Sequence, residues 1–206
     1  MSSGNDSMAA QAELLKPGFA NAVFESQTAF RAILNAMSYA GRIQDIGIGL
    51  DGPAPLDIAT TAAVLTLFDF DTSVWLDSRV AQSAVPEFVK FHCGSPITAA
   101  ALDAQFAIIS DPATMPSLDS FGIGEDRYPD RSATIIIQVP TLTEGPVTHW
   151  TGPGIEKVTD VRIGGLPESF WAQWALNHEL YPLGLDIIFA SGSAVIGLPR
   201  GVKVEG

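Results

Sequence analysis

The sequence predicts an α/β fold built on a mixed sheet covered by helices, on three observations. Segments with apolar residues three and four apart alternate along the chain with short, continuous apolar runs. One run, Ala133–Val139 with Ile135, Ile136 and Ile137 at its centre, has no polar alternation, the pattern of a strand buried on both faces. Near the end of the chain, Leu185–Ala190 and Ala194–Leu198 flank Ser191-Gly192-Ser193, whose composition is that of a hairpin turn.

Residues 1–16, rich in Ser, Asn, Asp and Ala, read as a flexible leader to a single domain over 17–206. A helix follows on the spacing of Phe30, Ile33, Leu34 and Met37, with Val23 and Phe24 in its earlier turns. Gly41 is placed to end it in the left-handed conformation, and Arg42 opens an extended stretch. The breaks at Pro53 and Pro55 precede a second helix from about Leu56 through Val64, Leu65 and Phe68. Asp71-Thr72-Ser73 then turns the chain into the strand Val74-Trp75-Leu76. Val85, Phe88, Val89 and His92 share one face of a third helix over 86–92, stopped by Gly94. Phe106–Ile109 is a strand, and the connection from Asp111 to Ser132 is long enough to be functional or mobile. A further strand begins near Val147, and a helix from Pro167 carries Phe170, Trp171, Trp174 and Leu180.

A length of 206 residues suits one sizeable core. With 47% hydrophobic and 17% charged residues, the chain is neither disordered nor a charge-rich coiled coil. Its formal net charge of −12 repels phosphate backbones and anionic lipid, so neither nucleic acid nor a membrane surface is an expected partner. A lone cysteine, Cys93, allows no internal disulfide and no cysteine-only zinc site. No apolar h-region follows the first basic residue, Lys16, and no uncharged stretch approaches the roughly 20 residues of a membrane span. A soluble cytoplasmic protein is the expectation.

Gly47-Ile48-Gly49-Leu50-Asp51-Gly52 spells the dinucleotide fingerprint, but Pro53 and Pro55 prevent a helix from opening at its third glycine, and a glycine-rich turn is the better reading. His178-Glu179 is no zinc-protease helix, because Pro182 stands where its second histidine belongs; no metal site is expected. The basic residues say more. Seven of the eleven are arginine, and Arg127, Arg131 and Arg200 lie in loop contexts. Gly124-Glu125-Asp126-Arg127-Tyr128-Pro129-Asp130-Arg131 interleaves opposite charges, which describes either an internally salt-bridged loop or a pre-organised site or subunit contact. The Gly152-Pro153-Gly154 turn either exposes backbone N–H groups to an anion or simply reverses the chain.

Taken in order, these segments resemble the PhnH family, the H subunit of the bacterial carbon–phosphorus lyase system, over nearly the whole chain. The motifs are Gly18-Phe19-Ala20, Phe30 to Met37 with Gly41-Arg42, Leu65-Thr66-Leu67 with Asp69, Val74 to Asp77, and Phe91-His92-Cys93-Gly94. Tyr128 to Thr134, Thr151 to Ile155, Tyr181 to Asp186 and Leu198-Pro199-Arg200 complete the set. The resemblance implies a role in phosphonate breakdown. Subunits G, I and J are the core partners, and with G, I and L the family supports transfer of ribose triphosphate from ATP onto an alkylphosphonate. It also implies a homodimer when isolated, and a fold similar to the large domain of pyridoxal-phosphate-dependent transferases without the cofactor. The resemblance assigns nucleosidase-like chemistry to the I subunit and leaves this chain a structural or ligand-handling part without complete catalytic machinery of its own; it points to no particular catalytic residue, and no cofactor is expected. The candidate ligand or subunit contacts are Arg127, Tyr128, Asp130, Arg131, Gly152, Pro153, Gly154 and Arg200. The chain departs from the family pattern at Ala40 for proline, Cys93 for threonine and Gly201-Val202 for a hydroxyl-bearing pair. A stand-alone enzyme or sensor binding phosphonate or nucleotide through the same arginines is the alternative. A working pyridoxal enzyme is a third reading, for which Lys16, Lys90, Lys157 and Lys203 are the only candidate lysines.

Overall fold

The computed structural model describes residues 16–206; residues 1–15, which make up all but one of the expected leader, lie outside it. Two sheets and five helices organise these residues. The helices are α1 (Ala22–Ser38), α2 (Ile58–Leu67), α3 (Ser78–Ala81), α4 (Val85–His92) and α5 (Phe170–Glu179). The strands are β1 (Gln44–Asp45), β2 (Val74–Leu76), β3 (Phe106–Ile109), β4 (Thr134–Gln138), β5 (Val147–Thr151), β6 (Thr159–Arg162), β7 (Asp186–Ser191), β8 (Ala194–Leu198) and β9 (Lys203–Glu205).

The larger sheet runs β1-β8-β7-β4-β3-β2, so the expected mixed α/β architecture is present. Strands β2, β3, β4 and β7 are parallel, while β8 pairs antiparallel with both β7 and β1. The hairpin forms as expected, with Ser191 opposite Ala194 around Gly192-Ser193. Strand β4 is buried on both faces: Ile136 joins the core under α1, α2 and α4, whereas Ile135 and Ile137 face the core that holds Phe170 and Trp174 of α5. Unforeseen in the sequence is a second, antiparallel sheet ordered β6-β5-β9. It joins the α5 side through buried Trp150 and through Trp174, whose Nε1 donates to the Val202 carbonyl at 3.0 Å. No helix among the described residues is long and apolar enough to cross a membrane.

Helix α1 begins at Asn21, whose side chain accepts the Phe24 N–H at 3.2 Å, while Glu25 accepts the Asn21 N–H. Gly41 follows with φ of +80°, as its position predicts. The buried face, however, is only partly the expected one, with Ile33 buried and Met37 packed against the core. Ala29, Ala32, Ile33 and Ala36 enter the core, while Phe30 and Leu34 are 48% and 51% exposed and Val23 and Phe24 more so. The reason is the closeness of helix and sheet: a Cβ added at Gly197 of β8 would stand 2.6 Å from the Ala36 carbonyl group. Only small side chains fit such an approach, so the large ones project beside it.

At the carboxyl end of β2, buried Asp77 caps α3 through the Val80 N–H at 2.7 Å. It also accepts the N–H groups of Ser110 (2.6 Å) and Asp111 (3.1 Å), clasping the end of β3. Asp57 caps α2 through the Thr60 N–H at 2.8 Å. Burial raises its carboxyl above the ordinary range, against the opposing pull of the Thr60 and Gly192 N–H groups.

Candidate functional site

The loop at 124–131 is built by two local devices. Gly124 takes φ of +85°, and a Cβ there would stand 2.8 Å from the Pro129 carbonyl oxygen, so the reversal requires glycine. Glu125 and Tyr128 then exchange backbone hydrogen bonds of 3.2 and 2.8 Å, and Pro129–Arg131 closes a single 3-10 turn. This geometry folds both arginines over one ring: the Arg131 guanidinium lies 4.1 Å from the Tyr128 ring centre and that of Arg127 5.4 Å. The internally salt-bridged loop is therefore not what forms. Among the described residues neither arginine pairs with a loop carboxylate, and both stack on tyrosine instead. Asp130 is exposed in the first turn of the 3-10 segment.

Arg200 reaches this loop from the end of β8. Its Nη1 donates to the Pro129 carbonyl at 2.8 Å, and its Nε and Nη2 grip the Asp186 carboxylate. The Arg200 backbone N–H adds a 2.8 Å bond to Asp186 Oδ1. With only 15% and 19% of the two side chains exposed, the pair is largely withdrawn from water. One residue on, a Cβ added at Gly201 would stand 3.5 Å from the Tyr181 ring and 3.6 Å from Pro153, and a Cβ at Gly152 would stand 2.9 Å from the Gly201 carbonyl oxygen. Gly154 points elsewhere: at φ of +82°, a Cβ on it would overlap the Ser38 carbonyl at the end of α1. The turn thus fills the space between the chain after β8 and the end of α1. Arg127, Tyr128, Asp130 and Arg131 form one unit, Arg200 braces it, and Gly152 and Pro153 adjoin Arg200 through Gly201.

Beside the loop opens a groove of about 780 Å³, to which Gly124, Glu125 and Arg131 contribute. It passes between residues 117–125 and the flank of α5. The sequence reading missed it. A signal was present in α5, where Gln173, Leu176 and Leu180 make a second ridge at three- and four-residue spacing beside the core-facing Phe170, Trp174 and Asn177.

The three histidines and the single cysteine sit among structural neighbours. His92 lies against the rings of Phe88 and Phe91 at 4.3 and 4.9 Å and bonds the Lys16 carbonyl. His149 pairs with Asp160 across β5 and β6, and His178 bonds the Arg200 carbonyl. The Cys93 thiol is pushed up to about 11 by burial and by the neighbouring Asp69 carboxylate, so it stays protonated at neutral pH. No group of three or more His, Cys, Asp or Glu that could hold a metal occurs among the described residues.

The family model described as bacterial phosphonate metabolism protein (PhnH) matches residues 17–205. The chain belongs to the PhnH family. It is 36% identical, over 96% of its own length and 99% of the other, to the Rhizobium meliloti (strain 1021) protein named alpha-D-ribose 1-methylphosphonate 5-triphosphate synthase subunit PhnH. It is 27% identical, over 87% of its length and 85% of the other, to the putative C-P lyase subunit protein HtxG of Stutzerimonas stutzeri. In this PhnH chain a Cβ added at Gly201 would make only ordinary contact with Tyr181 and Pro153, and Val202 is fully buried.

Proposed function

We propose that the chain is the H subunit of a cytoplasmic carbon–phosphorus lyase assembly, acting with the other lyase subunits in transfer of a ribose triphosphate group from ATP to an alkylphosphonate. The observation that carries this reading is the end-to-end match at 36% identity to a protein itself named a subunit of such a synthase. The chain's own part is structural, and the 124–131 loop is a subunit contact. Tyr128 holds two arginine forks in place and Arg200 braces the loop, so little side-chain freedom remains to be lost when a partner docks. The anion-binding alternative has less support, since each guanidinium nitrogen of Arg200 already has a protein acceptor.

In this reading the isolated chain is a homodimer, and its fold is a relative of the pyridoxal-transferase large domain that works without the cofactor. The lysines suit no Schiff base: Lys16 pairs with Asp51, Lys203 with Glu205, and Lys90 and Lys157 stand exposed.

Affinity purification of the tagged chain from phosphate-starved native cells tests the assignment. Partner lyase subunits in fixed stoichiometry are expected by mass spectrometry; the chain recovered alone would sink it. Arg131→Ala is expected to lower the assembled fraction several-fold in native mass spectra, with an unchanged melting temperature. Assembly at the wild-type level would remove the loop from the contact.

A further inference from the structure

The groove beside the loop has a composition of its own. Leu118 and Phe121 form a buried floor, and Leu102, Ile123, Leu176 and Leu180 form its walls. Leu176 is 65% exposed and Leu102 66%, an apolar surface left in water at the margin of a compact fold. The shape is preformed. Gln173 Oε1 accepts the Leu118 N–H at 2.7 Å while its Nε2 donates to Ser169 Oγ at 3.0 Å, fixing the floor segment to α5. The rim carries three carboxylates, Asp119, Glu125 and Glu179, against one guanidinium, Arg131, which is already stacked on Tyr128. An apolar trough with an acidic rim repels phosphate, phosphonate and nucleotide and attracts cations.

We infer that this groove is the docking site for a segment of a partner lyase subunit that inserts two or three apolar side chains and flanks them with lysine or arginine. The inference rests on the subunit reading above and adds the surface and the chemistry of the partner. Charge complementarity singles out this occupant. The chain's own residues 1–15 carry Asp6 and Glu13 and no basic side chain. Lys16, where the described chain begins, bonds His92 of α4, which packs on the opposite face of the sheet from the groove. A second copy, which this reading pairs with the isolated chain, docks on another face, because groove against groove would set two acidic rims together. The occupant is thus a segment of a different chain with apolar anchors and basic flanks.

The test is co-expression of the full chain with the other lyase subunits and native mass spectrometry of the assembly. Leu176→Glu, Leu180→Glu and Glu179→Lys alter surface positions only. Each is expected to lower the assembled fraction by about tenfold, the scale of losing one interface anchor, with an unchanged melting temperature. A benzoyl-phenylalanine photo-crosslinker substituted at Leu102 is expected to capture another lyase subunit at an apolar segment flanked by lysine or arginine. Wild-type assembly by all three variants overturns the groove assignment and leaves the subunit reading standing, as does a crosslink to a second copy or to a segment without basic flanks. A wild-type chain that joins no assembly overturns both.

Discussion

Arg200 shows how one side chain can tie a loop to a sheet. Its guanidinium neutralises Asp186 at the start of β7 and holds the Pro129 carbonyl, so Arg200→Ala strands a largely buried carboxylate and frees the loop's base. Losing one member of a buried pair costs about 3–5 kcal/mol. At 15% and 19% side-chain exposure, about 2–3 kcal/mol is expected in chemical denaturation, and less than the sum of the single effects in the double variant with Asp186→Ala. Cys93 makes a prediction of a different kind. Its thiol is raised from 9.0 to about 11, so the folded chain keeps a proton that the unfolded chain has already lost. That contribution to stability is complete below pH 9 and is lost as pH rises from 9 towards about 11. The denaturant midpoint should fall across this window in the wild type, and less steeply in Cys93→Thr. Parallel profiles would show that the thiol contributes nothing.

Among the elements, α1 best separates what a periodic pattern says from what packing decides. The spacing of Phe30, Ile33, Leu34 and Met37 locates the helix, yet of these four Ile33 is buried and Met37 packs half-buried against the core, while Phe30 and Leu34 stay largely outside it. Hydrophobicity ranks Phe and Leu above Ala as core residues. The distance between α1 and β8 at Gly197 reverses that ranking locally, and no local signal states it. Phe30→Ala and Leu34→Ala are therefore expected to change stability by no more than about 0.5 kcal/mol. Gly197→Ala, which drives a Cβ into the Ala36 backbone, is expected to cost about 1–3 kcal/mol. Thermal melts of the three variants check the contrast; a large loss at Phe30 with none at Gly197 would contradict this account of the packing. The loop at 124–131 was legible for the opposite reason. Its residues are contiguous, so Arg127, Tyr128, Asp130 and Arg131 declared themselves together, although their stacking on Tyr128 did not.

For the molecule as a whole, charge decides which ligands it tolerates. A net −12, with three carboxylates at the rim of the described groove, opposes any anion that must bind to the isolated chain. Calorimetric titration of the purified protein with ATP and with methylphosphonate is expected to give no saturable heat. A saturable signal with either would restore the stand-alone anion-binding reading, with Arg127 and Arg131 as the first residues to mutate.

The family resemblance and several of the elements were legible in the chain alone: the doubly buried strand around Ile136, the hairpin at Gly192 and the ordered motifs from Gly18 to Arg200 are all written in residues close together in the chain. Tertiary structure alone decided the pairings between distant segments. It set Lys203–Glu205 beside His149–Thr151 to complete the second sheet, gave Arg200 its partners Asp186 and Pro129, and laid α5 against residues 117–125 to open the groove. Local propensity acts over a few residues, whereas these contacts exist only because burying the core brings separate segments to one place. The physical reason is that closing such long loops is favourable only when many contacts form together, and no single residue type announces that sum in advance.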